Sequence, residues 1–72
     1  MQAENVNDVA TRRQELGISQ LELAVAADVS LMTLRNVERG IKVRSKSRRK
    51  VLEALDRKER EKDYGQTRRN TD

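Results

Sequence analysis

Between Lys42 and Lys50 the chain places six basic residues, Lys42, Arg44, Lys46, Arg48, Arg49 and Lys50, and no acid. Such a block can neutralise a row of phosphates, which is ionic binding rather than catalysis. A charge run by itself is usually a solvated surface, so its meaning depends on what lies beside it. The rest of the chain offers little covalent chemistry. Histidine and cysteine are both absent. That removes the imidazole base, the thiolate nucleophile, the disulfide and the commonest metal ligands. There is no glycine-rich phosphate loop either. These absences speak against an enzyme, and neither a cofactor nor a small-molecule ligand is expected.

The charge is unevenly spread. Residues 1–40 hold four basic and six acidic residues, residues 41–72 hold twelve basic and six acidic, and the net charge is +4. Just ahead of the basic block runs Ile18 to Gly40, ISQLELAVAADVSLMTLRNVERG. It reads as two short helices joined by a tight turn. Ser19 caps the first, Gln20 to about Ala27, with Glu22 placed to complete a capping box. Ser30 caps the second, Leu31 to about Arg39, and Gly40 stops it. Only Asp28 and Val29 separate the first helix from the second cap, so the helices must cross rather than fold back. Ala24, Ala26 and Ala27 permit close approach at that crossing. Leu23, Val29, Leu34 and Val37 are spaced to fill the angle. This is the spacing of a DNA-binding helix-turn-helix.

The order Ser19-Gln20, Leu23-Ala24, Val29-Ser30, Leu34 and Glu38-Arg39-Gly40 resembles the helix-turn-helix of the Cro and lambda-repressor-like regulators, the XRE family, over roughly Val6 to Leu55. The resemblance implies an all-α, four-helix, lambda-repressor-like domain that binds duplex DNA with the helix over 31–39 in the major groove. It places base reading on Leu31, Met32 and Asn36, with Thr33 and Arg35 close by. Asn can bond bidentately to adenine and Arg to guanine, whereas Leu31 and Met32 can only pack on thymine methyl groups. Polar readout then rests on Thr33, Arg35 and Asn36. The competing reading puts Leu31 and Met32 in the core.

The family's phosphate-binding glutamine falls on Gln20, where a helix N-terminus also favours an anion. Arg39, Lys42, Arg44 and Lys46 are the further phosphate contacts of this reading. A common arginine–glutamate pair of the family falls on Arg13 and Glu38, implying a structural ion pair that orients the second motif helix against helix one. Two positions depart from the pattern. Asp28 stands where the family usually has a left-handed glycine, a conformation Asp tolerates better than most residues. Arg44 stands near where many members have proline, which implies a looser loop.

Two further helices complete the count. Asn5 or Asn7 caps a first helix that ends near Leu16 at Gly17, with Val6, Val9, Ala10 and Leu16 on one face. Ser45 or Ser47 caps a fourth, in which Val51, Leu52 and Leu55 mark the buried stripe. Beyond Leu55, DRKEREKD has strong helix formers but no apolar face. The expectation there is a frayed, solvated extension with Arg57 and Glu61 as a favourable pair. Residues 1–63 form one domain (motif 20–39), and residues 64–72 read as a disordered basic tail. A core of about fifteen aliphatic side chains implies a stability on the order of 3–5 kcal/mol. No apolar run approaches the ~20 residues of a membrane span, and no signal-peptide pattern opens the sequence. A cytoplasmic protein is expected.

The function expected is that of a small, sequence-specific transcriptional regulator, repressor or Cro-like, which pairs as a homodimer on DNA. The other class is a protein-interaction module on the same fold, such as an antitoxin, an antirepressor or a coactivator-like adaptor. Leu21 and Val25, one turn apart on the first motif helix and usually polar in the family, favour that class. The basic block opposes it.

Overall fold

The computed structural model describes the backbone of residues 2–71 and the side chains of residues 9–62. Four helices follow in order: α1 (Gln2–Leu16), α2 (Gln20–Ala27), α3 (Leu31–Arg39) and α4 (Ser45–Thr71). No strand occurs among the described residues. α4 packs chiefly on α2, and α1 packs on α3. The α2–turn–α3 unit is thereby held from both sides.

The first three helices end in the same way. Gly17, Asp28 and Gly40 each adopt a left-handed conformation, with φ of 72°, 59° and 80°. The apolar residue that follows then donates its N–H five residues back: Ile18 to Arg13 O (3.4 Å), Val29 to Ala24 O (3.0 Å) and Ile41 to Asn36 O (2.8 Å). This is the Schellman closure, which satisfies carbonyls the helix leaves open. Only at Asp28 is it formed without glycine.

The helix starts differ. At α2, Ser19 Oγ accepts from Glu22 N–H and the Glu22 carboxylate accepts from Ser19 N–H, both at 3.0 Å. At α3, Ser30 Oγ accepts from Thr33 N–H at 3.0 Å and donates to Thr33 Oγ1 at 2.9 Å. Asn5 and Asn7 are not caps, because α1 already begins at Gln2. Neither serine caps α4. Ser45 is its first residue, and the carbonyl of Arg44 accepts the first-turn N–H of Arg48 at 3.1 Å.

The core is formed by Val9, Leu23, Ala24, Ala27, Leu34, Val37, Val51, Ala54 and Leu55, with Leu16, Ile18, Ala26, Val29, Val43 and Leu52 packed around it. Val6 lies outside the described side chains, as does the reading of residues 64–72 as a separate tail.

Past Leu55, α4 is held by charge rather than by apolar contact. Arg12 of α1 donates to Asp56 at 2.9 Å and to both oxygens of Glu59 at 2.8 and 2.7 Å. Arg57 donates to Ala26 O at 2.8 Å, and Lys62 donates to Glu15 O at 2.9 Å. Both acceptors lie in the last turns of α2 and α1, where carbonyls lack helical partners. The stretch through Lys62 is therefore docked, which corrects the expectation of a frayed extension. Arg57 turns to α2 rather than to Glu61; Lys58 is the side chain beside Glu61, at 3.8 Å.

Candidate nucleic-acid interface

α3 divides into two faces. Leu34, Val37 and Glu38 are buried. Met32, Arg35, Asn36 and Arg39, at helical spacings of three and four, line the opposite side. They border an open groove of about 630 Å³ whose other walls are Ala10 of α1, Gln20 of α2 and Glu38. Met32 is 66% exposed, although it is an apolar side chain among polar neighbours. Arg35 and Arg39 are exposed and have no ion-pair partner among the described residues.

The two remaining sequence candidates on α3 sit differently. Leu31 is half-buried. Thr33 is half-buried, and its hydroxyl accepts from Ser30 in the helix cap. Neither lines the groove. Adjacent apolar residues thus differ: Leu31 is half-buried and off the groove, whereas Met32 is exposed and lines it.

One carboxylate joins the three helices that surround this groove. The Glu38 side chain is only 7% exposed. Arg13 Nε donates to Glu38 Oε2 at 2.6 Å, and Arg13 Nη2 reaches Oε1 at 3.4 Å. Gln20 Nε2 donates to the same Oε1 at 2.9 Å. Arg13 Nη1 also donates to Ile18 O at 3.0 Å, closing the end of α1. Every buried side-chain polar atom among the described residues has a partner. The negative charge nearest the groove is therefore neutralised from within. Sequence reasoning pairs Arg13 with Glu38 but gives Gln20 only an outward role; an i,i+18 amide contact leaves no local signature.

The basic block follows directly. The connection spans residues 41–44, where Val43 tucks partly against the core while Lys42 and Arg44 are exposed. Lys46, Arg48 and Arg49 are exposed on the first turns of α4. No acid stands in the first turn of α4. Cations at the positive end of a helix dipole repel it, so this end gains from an anion placed outside it. Lys50 approaches Asp28 at 3.8 Å, a solvated pair of little energetic weight.

On the far side of α2, Leu21 and Val25 are 59% and 71% exposed. With Glu22, Ala26 and Lys58 they border a second, shallower depression of about 390 Å³. No helix among the described residues is long and apolar enough to cross a membrane.

Comparison with known proteins agrees with this geometry. A family model described as helix-turn-helix matches residues 9–62. That span contains both caps, the left-handed turn at Asp28, the Arg13–Glu38 contact and the basic block. No curated protein and no solved structure gives a significant match. On the family match, the chain belongs to the XRE-type, Cro and lambda-repressor-like helix-turn-helix family of DNA-binding transcription regulators.

Proposed function

We propose that this chain is a sequence-specific repressor of the Cro type, which binds duplex DNA with α3 in the major groove. One observation carries the reading: the outward stripe Met32, Arg35, Asn36 and Arg39 presents hydrogen-bonding groups and charge beside an acid, Glu38, that Arg13 and Gln20 already hold, immediately before a basic connection. Asn36 bonds an adenine edge, and Arg35 a guanine or an adjoining phosphate. Leu31 and Thr33 make flanking contacts at the start of the helix. Arg39, Lys42, Arg44 and Lys46 bind phosphates and set the register. Gln20 gives one amide N–H to Glu38. Its other N–H remains for a phosphate at the N-terminus of α2.

The test is binding-site selection from a random duplex pool, followed by titration of the selected sequence and a scrambled control at two salt concentrations. A preferred site, bound at least ~100-fold more tightly than the control, is expected. Equal binding to both would leave a non-specific DNA coat, and no binding would overturn the reading. Two half-sites about one helical turn apart would report a dimer on DNA.

A second reading rests on a separate observation, the exposed pair Leu21 and Val25. Apolar side chains side by side on a short helix suit a protein contact. If an adaptor role were primary, Leu21→Glu with Val25→Glu would abolish biological activity while DNA affinity stayed intact.

A further inference from the structure

Methionine occurs only at Met1 and Met32, and the chain has no cysteine, histidine or tryptophan. The buried core is built from Val, Leu and Ala alone and holds no sulfur. A two-electron oxidant that spares aliphatic carbon therefore finds two thioethers, and Met32 is the one that stands in a site. Met32 is 66% exposed and lines the open groove on α3.

The neighbours of Met32 decide what oxidation does there. Arg35 and Asn36 follow it by three and four residues and line the same groove. At those spacings side chains on a helix meet. Neither side chain makes a hydrogen bond among the described residues. A thioether is only a weak acceptor, so it leaves these donors free. A sulfoxide is polar, and its oxygen accepts from a neighbouring amide or guanidinium. The donors so occupied are those that base reading by α3 requires.

We infer that Met32 is an oxidative modification site that weakens DNA binding: a hydroperoxide converts its thioether to the sulfoxide, which engages the donors of Arg35 and Asn36. The inference rests on the DNA-binding function proposed above and adds a mode of regulation to it. A sulfur lone pair attacks the terminal peroxide oxygen, and the S–O bond forms as the O–O bond breaks. Sulfur gives up two electrons, and the proton of the transferred oxygen passes to the departing one, which leaves as water or an alcohol. Methionine sulfoxide reductases reverse the change. The aliphatic core is untouched, so the modification acts on the interface and not on the fold.

The test uses the full chain, hydrogen peroxide and the selected duplex. Peptide mass spectrometry follows the gain of one oxygen at Met32 and at Met1 separately. Affinity and melting temperature are measured before and after treatment for the wild type and for Met32→Leu, which keeps Met1 but has no thioether in the groove. Wild-type affinity should fall about ten-fold, the scale of one lost contact to a base edge. The fall should keep step with oxidation of Met32, at an unchanged melting temperature. Met32→Leu, whatever its starting affinity, should give the same value before and after peroxide. The two methionine sulfoxide reductases, one for each sulfoxide epimer, should restore binding by the oxidised wild type. Four results would each overturn this inference and leave DNA binding standing: full oxidation of Met32 with affinity retained, an equal loss in Met32→Leu, a melting temperature that falls with affinity, or binding that the reductases do not restore. If the untreated protein binds no duplex, the proposed function fails, and this inference with it.

Discussion

Arg13 Nε of α1 lies 2.6 Å from Glu38 Oε2 of α3, and neither side chain is more than 12% exposed. Such a pair owes its worth to completeness. Removing both charges in favour of apolar groups is often neutral, whereas removing one leaves an uncompensated buried charge. Arg13→Ala should therefore cost ~3–5 kcal/mol. A core of this size supplies a stability on the order of 3–5 kcal/mol, so the variant should be largely unfolded near 37 °C. Arg13→Met combined with Glu38→Leu should recover most of the stability. Urea denaturation of both variants checks this; a mild phenotype for Arg13→Ala would mean that Gln20 alone suffices to hold Glu38.

The parts of this arrangement differ in how far they can be read from sequence. The turn is legible because its signals are local. Ser19 and Glu22 sit three residues apart, Ser30 follows Asp28 by two, and each serine bonds a residue three positions on. Docking of α4 beyond Leu55 is not legible. Its partners lie 31 to 47 residues away, and two of them are backbone carbonyls, which leave no mark on side-chain periodicity. The starts of α1 and α4 escape a sequence reading for a different cause. A serine or asparagine near a helix start is equally at home one position inside it, as Ser45 is. In the site, Leu31 and Met32 are alike by residue type, and only the phase of α3 against its neighbours tells them apart.

Arg12 holds Glu59 with two hydrogen bonds, and these keep the Glu59 carboxyl below the usual carboxylate range against the upward pull of burial. A carboxyl depressed in the folded state contributes stability above its unfolded pKa. That contribution is lost as pH falls through the folded value. Glu59→Gln should therefore be less stable than the wild type at neutral pH, and the two melting curves should converge in acid. The effect should be modest, because the pair is partly solvated and screened by salt. A gap between the curves that stayed constant into strong acid would show that Glu59 acts through packing instead.

Asp28 has φ 59° and ψ 45°, and it closes α2 where glycine would do so without strain. Asp28→Gly should raise stability by ~0.5–1 kcal/mol. The broken approach to Lys50 matters little, since the Asp28 side chain is almost fully exposed. Gly17 is the converse case. At φ 72° an added Cβ would meet nothing within 4 Å, so Gly17→Ala isolates the backbone effect and should cost ~1 kcal/mol. Thermal melts in which Asp28→Gly lowered stability, or Gly17→Ala raised it, would place the strain elsewhere in the turns.

The division of labour between α3 and the connection after it can be measured on one pair of duplexes. Arg44 and Lys46 are exposed and have no ion-pair partner among the described residues. Their replacement by Ala should leave the fold unchanged and free the phosphates they neutralise. The slope of log K against log salt should then become shallower by about 0.9 for each phosphate so freed, on selected and scrambled DNA alike. Asn36→Ala should act in the opposite pattern. It should cost ~1–3 kcal/mol on the selected site, with little effect on scrambled DNA and no change in slope, because base contacts carry sequence information and phosphate contacts do not. The side chain of Asn36 is half-buried, so a melt of the variant must accompany the titration. If Asn36→Ala weakened both duplexes equally at unchanged melting temperature, Asn36 would be a phosphate ligand and base reading would have to come from Arg35 and Met32. If the Arg44 and Lys46 replacements left the slope unchanged, the connection would lie off the DNA and α3 would have to enter the groove from another angle.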